Sequence, residues 1–161
     1  MTQRRPNQAM TKPTLIQGEP ILILLVEDDP AHAEIVRRNL EGFRVANQIN
    51  CLQDGQAALD YLYRRNSYAA ATASPRPDLI ILDLRLPKVD GLEVLRRIKE
   101  DAELKGIPTV VLTTSSAESD VVMAYTHGAG SYLVKPVDFK KFTELMETFG
   151  FYWLAWNQYP D

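Results

Sequence analysis

The segment Leu79–Pro87 reads LIILDLRLP: four consecutive aliphatic residues run into Asp83, and the stretch closes on Pro87. Unbroken aliphatic sequence, with no polar alternation, suits a strand covered on both faces, as in a parallel sheet between two helical layers. Such a strand is central in its sheet. An acid at its C-terminal end then lies in the crevice where open α/β sheets place their chemistry.

Upstream, Ile21–Val26 (ILILLV) is a second all-apolar strand, ending in Glu27, Asp28, Asp29 and Pro30. Proline is tolerated in the first helical turn, so Pro30 marks a helix start that Asp29 can cap. Ile35, Val36 and Leu40 then recur at helical spacing before Gly42. Val45–Cys51 reads as a short strand, and Asp54-Gly55 as a turn before a helix carrying Ala57, Leu59, Leu62 and Tyr63. Arg64–Pro77 has no sustained period and reads as a long surface loop.

Downstream, Asp90-Gly91 precedes a helix with Leu92, Val94, Leu95 and Ile98. Thr109–Leu112 is a fourth strand, ending in Thr113, Thr114, Ser115 and Ser116. Ser116 is expected to cap a helix that runs to His127. Ser131–Val134 is a fifth strand that leads into Lys135-Pro136, and Asp138 caps a last helix. Strands alternating with helices give an α/β fold: a five-stranded parallel sheet, doubly wound in the flavodoxin-like manner, with 2-1-3-4-5 as the expected strand order.

The 161 residues suit one domain with appendages. Residues 1–19 are polar, with Arg4, Arg5 and Lys12, and are expected to form a flexible arm. The core domain spans 20–149, followed by an aromatic extension over 150–161. A net charge of −3 gives no footing for general nucleic-acid binding. The lone Cys51 excludes an internal disulfide, and no Cys/His cluster is spaced for zinc. With neither a membrane-length apolar run nor a signal-peptide core, the expectation is a soluble, cytoplasmic protein.

In a parallel sheet Glu27, Asp28, Asp83, Thr113 and Lys135 all fall on one edge. Clustered carboxylates repel each other unless a hard cation intervenes, and Mg²⁺ suits an all-oxygen set. A carboxylate beside such an ion can attack a phosphoryl group, while a lysine and a hydroxyl neutralise the transferred charge. His32 and His127, each without a second histidine at ligand spacing, read as a surface residue and a helix-end residue.

These residues carry a family resemblance. LLVEDD at 24–29, LIILDLRLP at 79–87, Asp90-Gly91, VVLTTS at 110–115 and YLVKP at 132–136, in that order, resemble the CheY-like receiver domains of two-component signalling. The resemblance covers about residues 21–148 and implies that Asp83 is the phosphoacceptor. It further implies that Asp28 binds Mg²⁺ directly, Glu27 through water, and Arg85 through its backbone carbonyl. Thr113 and Lys135 would contact the phosphoryl oxygens, Lys135-Pro136 is often cis in the family, and Tyr132 matches an aromatic that swings inward on activation. LDLxLP with VVLTTS is similar to single-domain regulators that partner bacterial phytochromes, in which position 85 is commonly Asn. Arg85 is expected to place a long cation beside the phosphoryl site and alter the aspartyl phosphate lifetime.

The resemblance thus implies a stand-alone response regulator, a phosphoacceptor rather than an enzyme, served by a sensor histidine kinase. Nothing after residue 149 is long enough for a helix-turn-helix, so the expected output is protein association. Phe139, Phe142, Leu145, Met146 and Phe149 recur at helical spacing, and Phe151, Tyr152, Trp153, Leu154 and Trp156 follow. Aromatics of this kind dominate interfaces, and the last helix with Phe151–Trp156 is expected to build a homodimer. Two other readings are an aspartate-nucleophile phosphatase or hydrolase and a flavodoxin-like binding module. The first carries a second acid two residues after its nucleophile, where this chain has Arg85. The second needs a glycine-rich phosphate loop after the first strand, where this chain has Glu27-Asp28.

Overall fold

The structure is a computed structural model and describes residues 20–42, 47–150, 152 and 153. The expected N-terminal arm, residues 43–46, Phe151 and residues 154–161 lie outside the described residues.

Five strands form one parallel sheet in the order β2-β1-β3-β4-β5, as the alternation of elements implied. They are β1 (Ile21–Val26), β2 (Asn47–Leu52), β3 (Leu79–Leu82), β4 (Thr109–Thr113) and β5 (Ser131–Val134). The helices are α1 (Pro30–Glu41), α2 (Gly55–Tyr63), α3 (Gly91–Glu100), α4 (Glu118–Thr126) and α5 (Phe139–Gly150). Every residue of β3 and of β4 is buried, whereas the edge strands β2 and β5 are only half-covered.

Side chains alternate across a strand, so an all-apolar strand feeds two cores at once. Leu24, Val26, Ile80, Leu82 and Val111 face Leu59 and Leu62 of α2, Val94, Leu95 and Ile98 of α3, and Ala124 of α4. Ile23, Leu25, Leu79, Ile81, Val110 and Leu112 face Ile35, Val36 and Leu40 of α1 and Phe142, Met146 and Phe149 of α5. That division explains why β1 and β3 carry no polar residue along their length.

One local expectation is corrected. Ser116 does not cap α4: the cap residue is Ala117, without a side-chain bond, and Ser115 Oγ accepts from the Ala117 amide at 3.3 Å instead. Ser115 takes the role because its hydroxyl is already held by Asp120 of the first turn. The 64–77 segment is a pinned structure with short 3₁₀ turns at Asn66–Tyr68 and Ala71–Ala73. Tyr61 donates its hydroxyl to Pro75 O (2.7 Å), Arg76 reaches Leu62 O (2.7 Å), and Ser74 is buried with its hydroxyl donated to Tyr68 O. These side chains satisfy carbonyls that regular ladders would otherwise take.

The loop after β3 is fitted against two glycines. A Cβ on Gly91 would lie 2.2 Å from the Asp83 carbonyl oxygen, and one on Gly55 would lie 1.9 Å from the Val89 carbonyl. Both near neighbours are backbone and cannot swing aside. Gly91→Ala should therefore destabilise the fold by about 2 kcal/mol or more, the scale of overpacking, read as a lower urea midpoint. An unchanged midpoint would show that the loop has room.

Candidate functional site

The strand ends deliver charged side chains to one edge because the backbone ladder continues one residue past each strand. The Glu27 amide donates to Leu52 O (2.9 Å), the Asp83 amide to Val26 O (3.0 Å), and the Lys135 amide to Thr113 O (2.7 Å). Each residue is thereby fixed by the strand beside it, and the sheet's twist does not blur their separation.

There Lys135 meets both acids. Its Nζ lies 2.5 Å from Glu27 Oε1 and 2.8 Å from Asp83 Oδ2. All three side chains are buried, with relative exposures of 3% or less for Lys135 and Glu27 and 6% for Asp83. Burying a charge costs several kcal/mol even after relaxation, so the group is tolerable only as a paired set. Burial pushes Glu27 up to about 7, against the opposing hydrogen bond from Lys135. Asp83 Oδ1 accepts from the Arg85 amide at 3.3 Å, which holds the carboxylate's second oxygen on the loop side.

Glu27, Asp28 and Asp83 bring ligand oxygens within 4.8 Å of one another, with Asp28 exposed and the other two buried. An oxygen-only set of three carboxylates, one of them destabilised by its own burial, fits a hard divalent cation. Asp29 is a helix cap, accepting from the Ala31 amide at 2.9 Å and the His32 amide at 3.4 Å. Thr113 is fully buried, and its hydroxyl oxygen accepts from the Ser115 amide at 3.4 Å.

Arg85 sits differently from the sequence expectation. Arg85 does not extend its cation over Asp83. Its guanidinium pairs with Asp120 Oδ2 at 2.5 Å, beside Ser115 Oγ at 3.5 Å. Asp120 wins because its carboxylate, held below the usual range chiefly by the Ser115 hydroxyl, is an unspent anion at the start of α4. Tyr132 donates to the Ser115 carbonyl (2.9 Å), so β5 is joined to the same loop. Among the described residues no peptide bond is cis, Lys135-Pro136 included.

His32 is not an isolated surface residue. Its Nδ1 lies 3.0 Å from Lys135 Nζ, and its ring stands 5.6 Å from Phe142. Sequence offered one signal for this: His32, Val36 and Leu40 repeat every four residues, so His32 continues the buried stripe of α1. Asp120 had no comparable signal.

Lys135→Met leaves Glu27 and Asp83 buried together without their cation. In chelator-treated protein this should cost about 3 kcal/mol of unfolding free energy, and millimolar Mg²⁺ should recover part of it. A variant as stable as the parent under both conditions would mean that Lys135 is not the counter-ion.

Comparison with known proteins agrees with this arrangement. The family model described as "Response regulator receiver domain" matches residues 23–147. Response regulator Rcp1 of Synechocystis sp. is 42% identical over 135 residues, covering 84% of this chain and 90% of that protein. The probable methanogenesis regulatory protein FilR2 of Methanothrix harundinacea is 46% identical over 142 residues, covering 88% and 89%. Among solved structures, the Mn²⁺-bound form of Rcp1 superposes with a TM-score of 0.84 at 40% identity, covering 88% of this chain and all of that one. The phosphorylated cyanobacterial phytochrome response regulator RcpA gives 0.83 at 36% identity, covering 89% and 100%. With the family matched over most of its length and the sheet order in agreement, the chain belongs to the CheY-like receiver domains and is a response regulator of two-component phosphorelay signalling.

Proposed function

We propose that Asp83 accepts a phosphoryl group from a sensor histidine kinase of the phytochrome type, and that the output is a change in protein association. The observation that carries the reading is the Lys135 ammonium held between Asp83 and Glu27 at the end of the central strands. A relative whose structure is described as a phosphorylated phytochrome response regulator supports the choice of kinase.

In this reading one Asp83 oxygen attacks phosphorus. The P–N bond to the kinase's phosphohistidine breaks, and its electron pair leaves on the imidazole nitrogen. Lys135 and the Thr113 hydroxyl then face the oxygens of the transferred group, which brings about −1.5 to −2 of charge into the pocket. Asp28, Glu27, Asp83 and the Arg85 carbonyl would hold Mg²⁺. The ion supplies neutralisation of charge between the carboxylates and the incoming phosphoryl group. Metal binding in a homologue supports a divalent cation here, Mg²⁺ being the choice that an oxygen-only set favours.

Arg85 also bears on the phosphatase alternative. Where that chemistry needs a second acid, this chain has a cation engaged with Asp120. The protein is thus a phosphoacceptor that assists its own phosphorylation and dephosphorylation. Incubation with kinase or acetyl phosphate should label the parent in a chelator-sensitive manner and leave Asp83→Asn unlabelled. Equal labelling of Asp83→Asn would remove Asp83 from its role.

Arg85 and Ser115 tie the phosphoacceptor loop to α4, and Tyr132 ties in β5. Val122, Met123 and Tyr125 of α4 and Val134 of β5 are exposed beside these links. Apolar side chains so placed suit a partner surface. Once phosphorylated, Asp83 would compete with Asp120 for Arg85 and for the loop carrying Thr113. Arg85→Asn should change the dephosphorylation half-life at least about twofold, a small multiple consistent with a partly exposed ion pair. Coincident rates for the two proteins would exclude Arg85 from setting the lifetime.

We further infer a homodimer through α5 and the segment Phe151–Trp156. Tyr152 and Phe139 are exposed, which supports a partner there, while Trp153 packs 6.1 Å from Phe149 of its own domain. Phe151, Leu154 and Trp156 lie outside the described residues. Sedimentation at micromolar concentration should give a dimer that Trp153→Ala with Trp156→Ala converts to monomer. A monomeric parent would rule the dimer out.

A further inference from the structure

Lys135 is buried and brings three N–H donors with it, each of which needs an acceptor. Glu27 Oε1 takes one at 2.5 Å and Asp83 Oδ2 another at 2.8 Å. The third acceptor is His32 Nδ1, at 3.0 Å. An ammonium cannot accept, so the imidazole must present a lone pair on Nδ1 and carry its proton on Nε2. Nε2 in turn faces Asp29 Oδ2 at 3.6 Å, and the opposite side of the ring is closed by Phe142. His32 is thus steered from three sides: by the helix cap, by the core aromatic of α5 and by the ammonium.

We propose that His32 is a positioning residue for Lys135, acting through its Nδ1 lone pair. The inference rests on the reading of Asp83 as phosphoacceptor. Any group that occupies Asp83 or Glu27, whether phosphoryl or cation, withdraws one or both carboxylates from Lys135. An imidazole that accepts through Nδ1 brings no negative charge to the pocket, although that nitrogen also stands 4.0 Å from Glu27 Oε2. It keeps the ammonium over the site while its charged partners change, which a third carboxylate could not do without adding to the repulsion between Glu27 and Asp83. The residue does not touch the transferred group; its effect reaches the reaction through Lys135 alone.

The test uses full-length protein and two substitutions. His32→Phe keeps a ring against Phe142 and removes the acceptor. His32→Asn places an amide oxygen close to where Nδ1 stands. With phosphoramidate as donor, His32→Phe should phosphorylate roughly three- to tenfold more slowly at saturating Mg²⁺, the scale of one net intramolecular hydrogen bond. Its Mg²⁺ half-saturation should stay within about twofold of the parent, and His32→Asn should recover most of the rate. Independently of activity, the Lys135 Nζ protons should exchange slowly enough to be seen by NMR in the metal-free parent and in His32→Asn, and be lost in His32→Phe. Two results overturn the proposal: a His32→Phe rate equal to the parent, or a slow His32→Phe that His32→Asn does not rescue. Failure of the parent itself to be phosphorylated refutes the underlying reading of Asp83 instead, and the NMR comparison then decides the placement of His32 by itself.

Discussion

The buried contact of one ammonium with two carboxylates organises this molecule. Neither Glu27 nor Asp83 could be taken out of water alone, and Lys135 could not be buried without both. The three come from the ends of β1, β3 and β5, separated by 52 and 108 residues along the chain. The sheet order β2-β1-β3-β4-β5 brings them together at one edge. Fold and site are therefore one constraint. The all-aliphatic strands supply enough apolar burial on two faces to hold the charged edge in place, and the backbone ladder carried one residue past each strand sets its spacing.

From that edge the structure runs outward through short polar links. Asp83 is followed by Arg85, which reaches Asp120 at the start of α4; Asp120 holds Ser115, whose carbonyl receives Tyr132 of β5. A change of charge at Asp83 thus has a physical route to the exposed apolar side chains of α4 and β5. The route is made of exposed or half-buried bonds, each weak individually. Bonds this weak would be redistributed by a group of roughly two negative charges at Asp83, as proposed. On the other side of the sheet α1 contributes His32 to the same ammonium, so both helical layers lean on the site.

Much of this is legible in the sequence. Continuous apolar runs such as ILILLV and LIIL encode central parallel strands directly, and the acids, hydroxyl and lysine at their ends follow from the direction of the strands. Features decided by tertiary competition were less legible. Ser116 and Ser115 are both plausible caps, and only Asp120 chooses between them. The direction of Arg85 depends on that same carboxylate. The 64–77 segment lacks a period because its bonds come from side chains, Tyr61 of α2 and its own Arg64 among them. His32 was readable in principle from its spacing to Val36 and Leu40, but a histidine on an apolar stripe does not announce its partner.

The central claim is that Asp83, held by Lys135, is the atom-level destination of the phosphoryl group. Borohydride reduces an acyl phosphate and marks the residue that carried it. Protein phosphorylated with acetyl phosphate, treated with tritiated borohydride and digested should carry the label in the peptide containing Asp83, and at that residue on sequencing. Label at Asp28 or Asp90, or a phosphoprotein that borohydride leaves unmarked, would contradict the account.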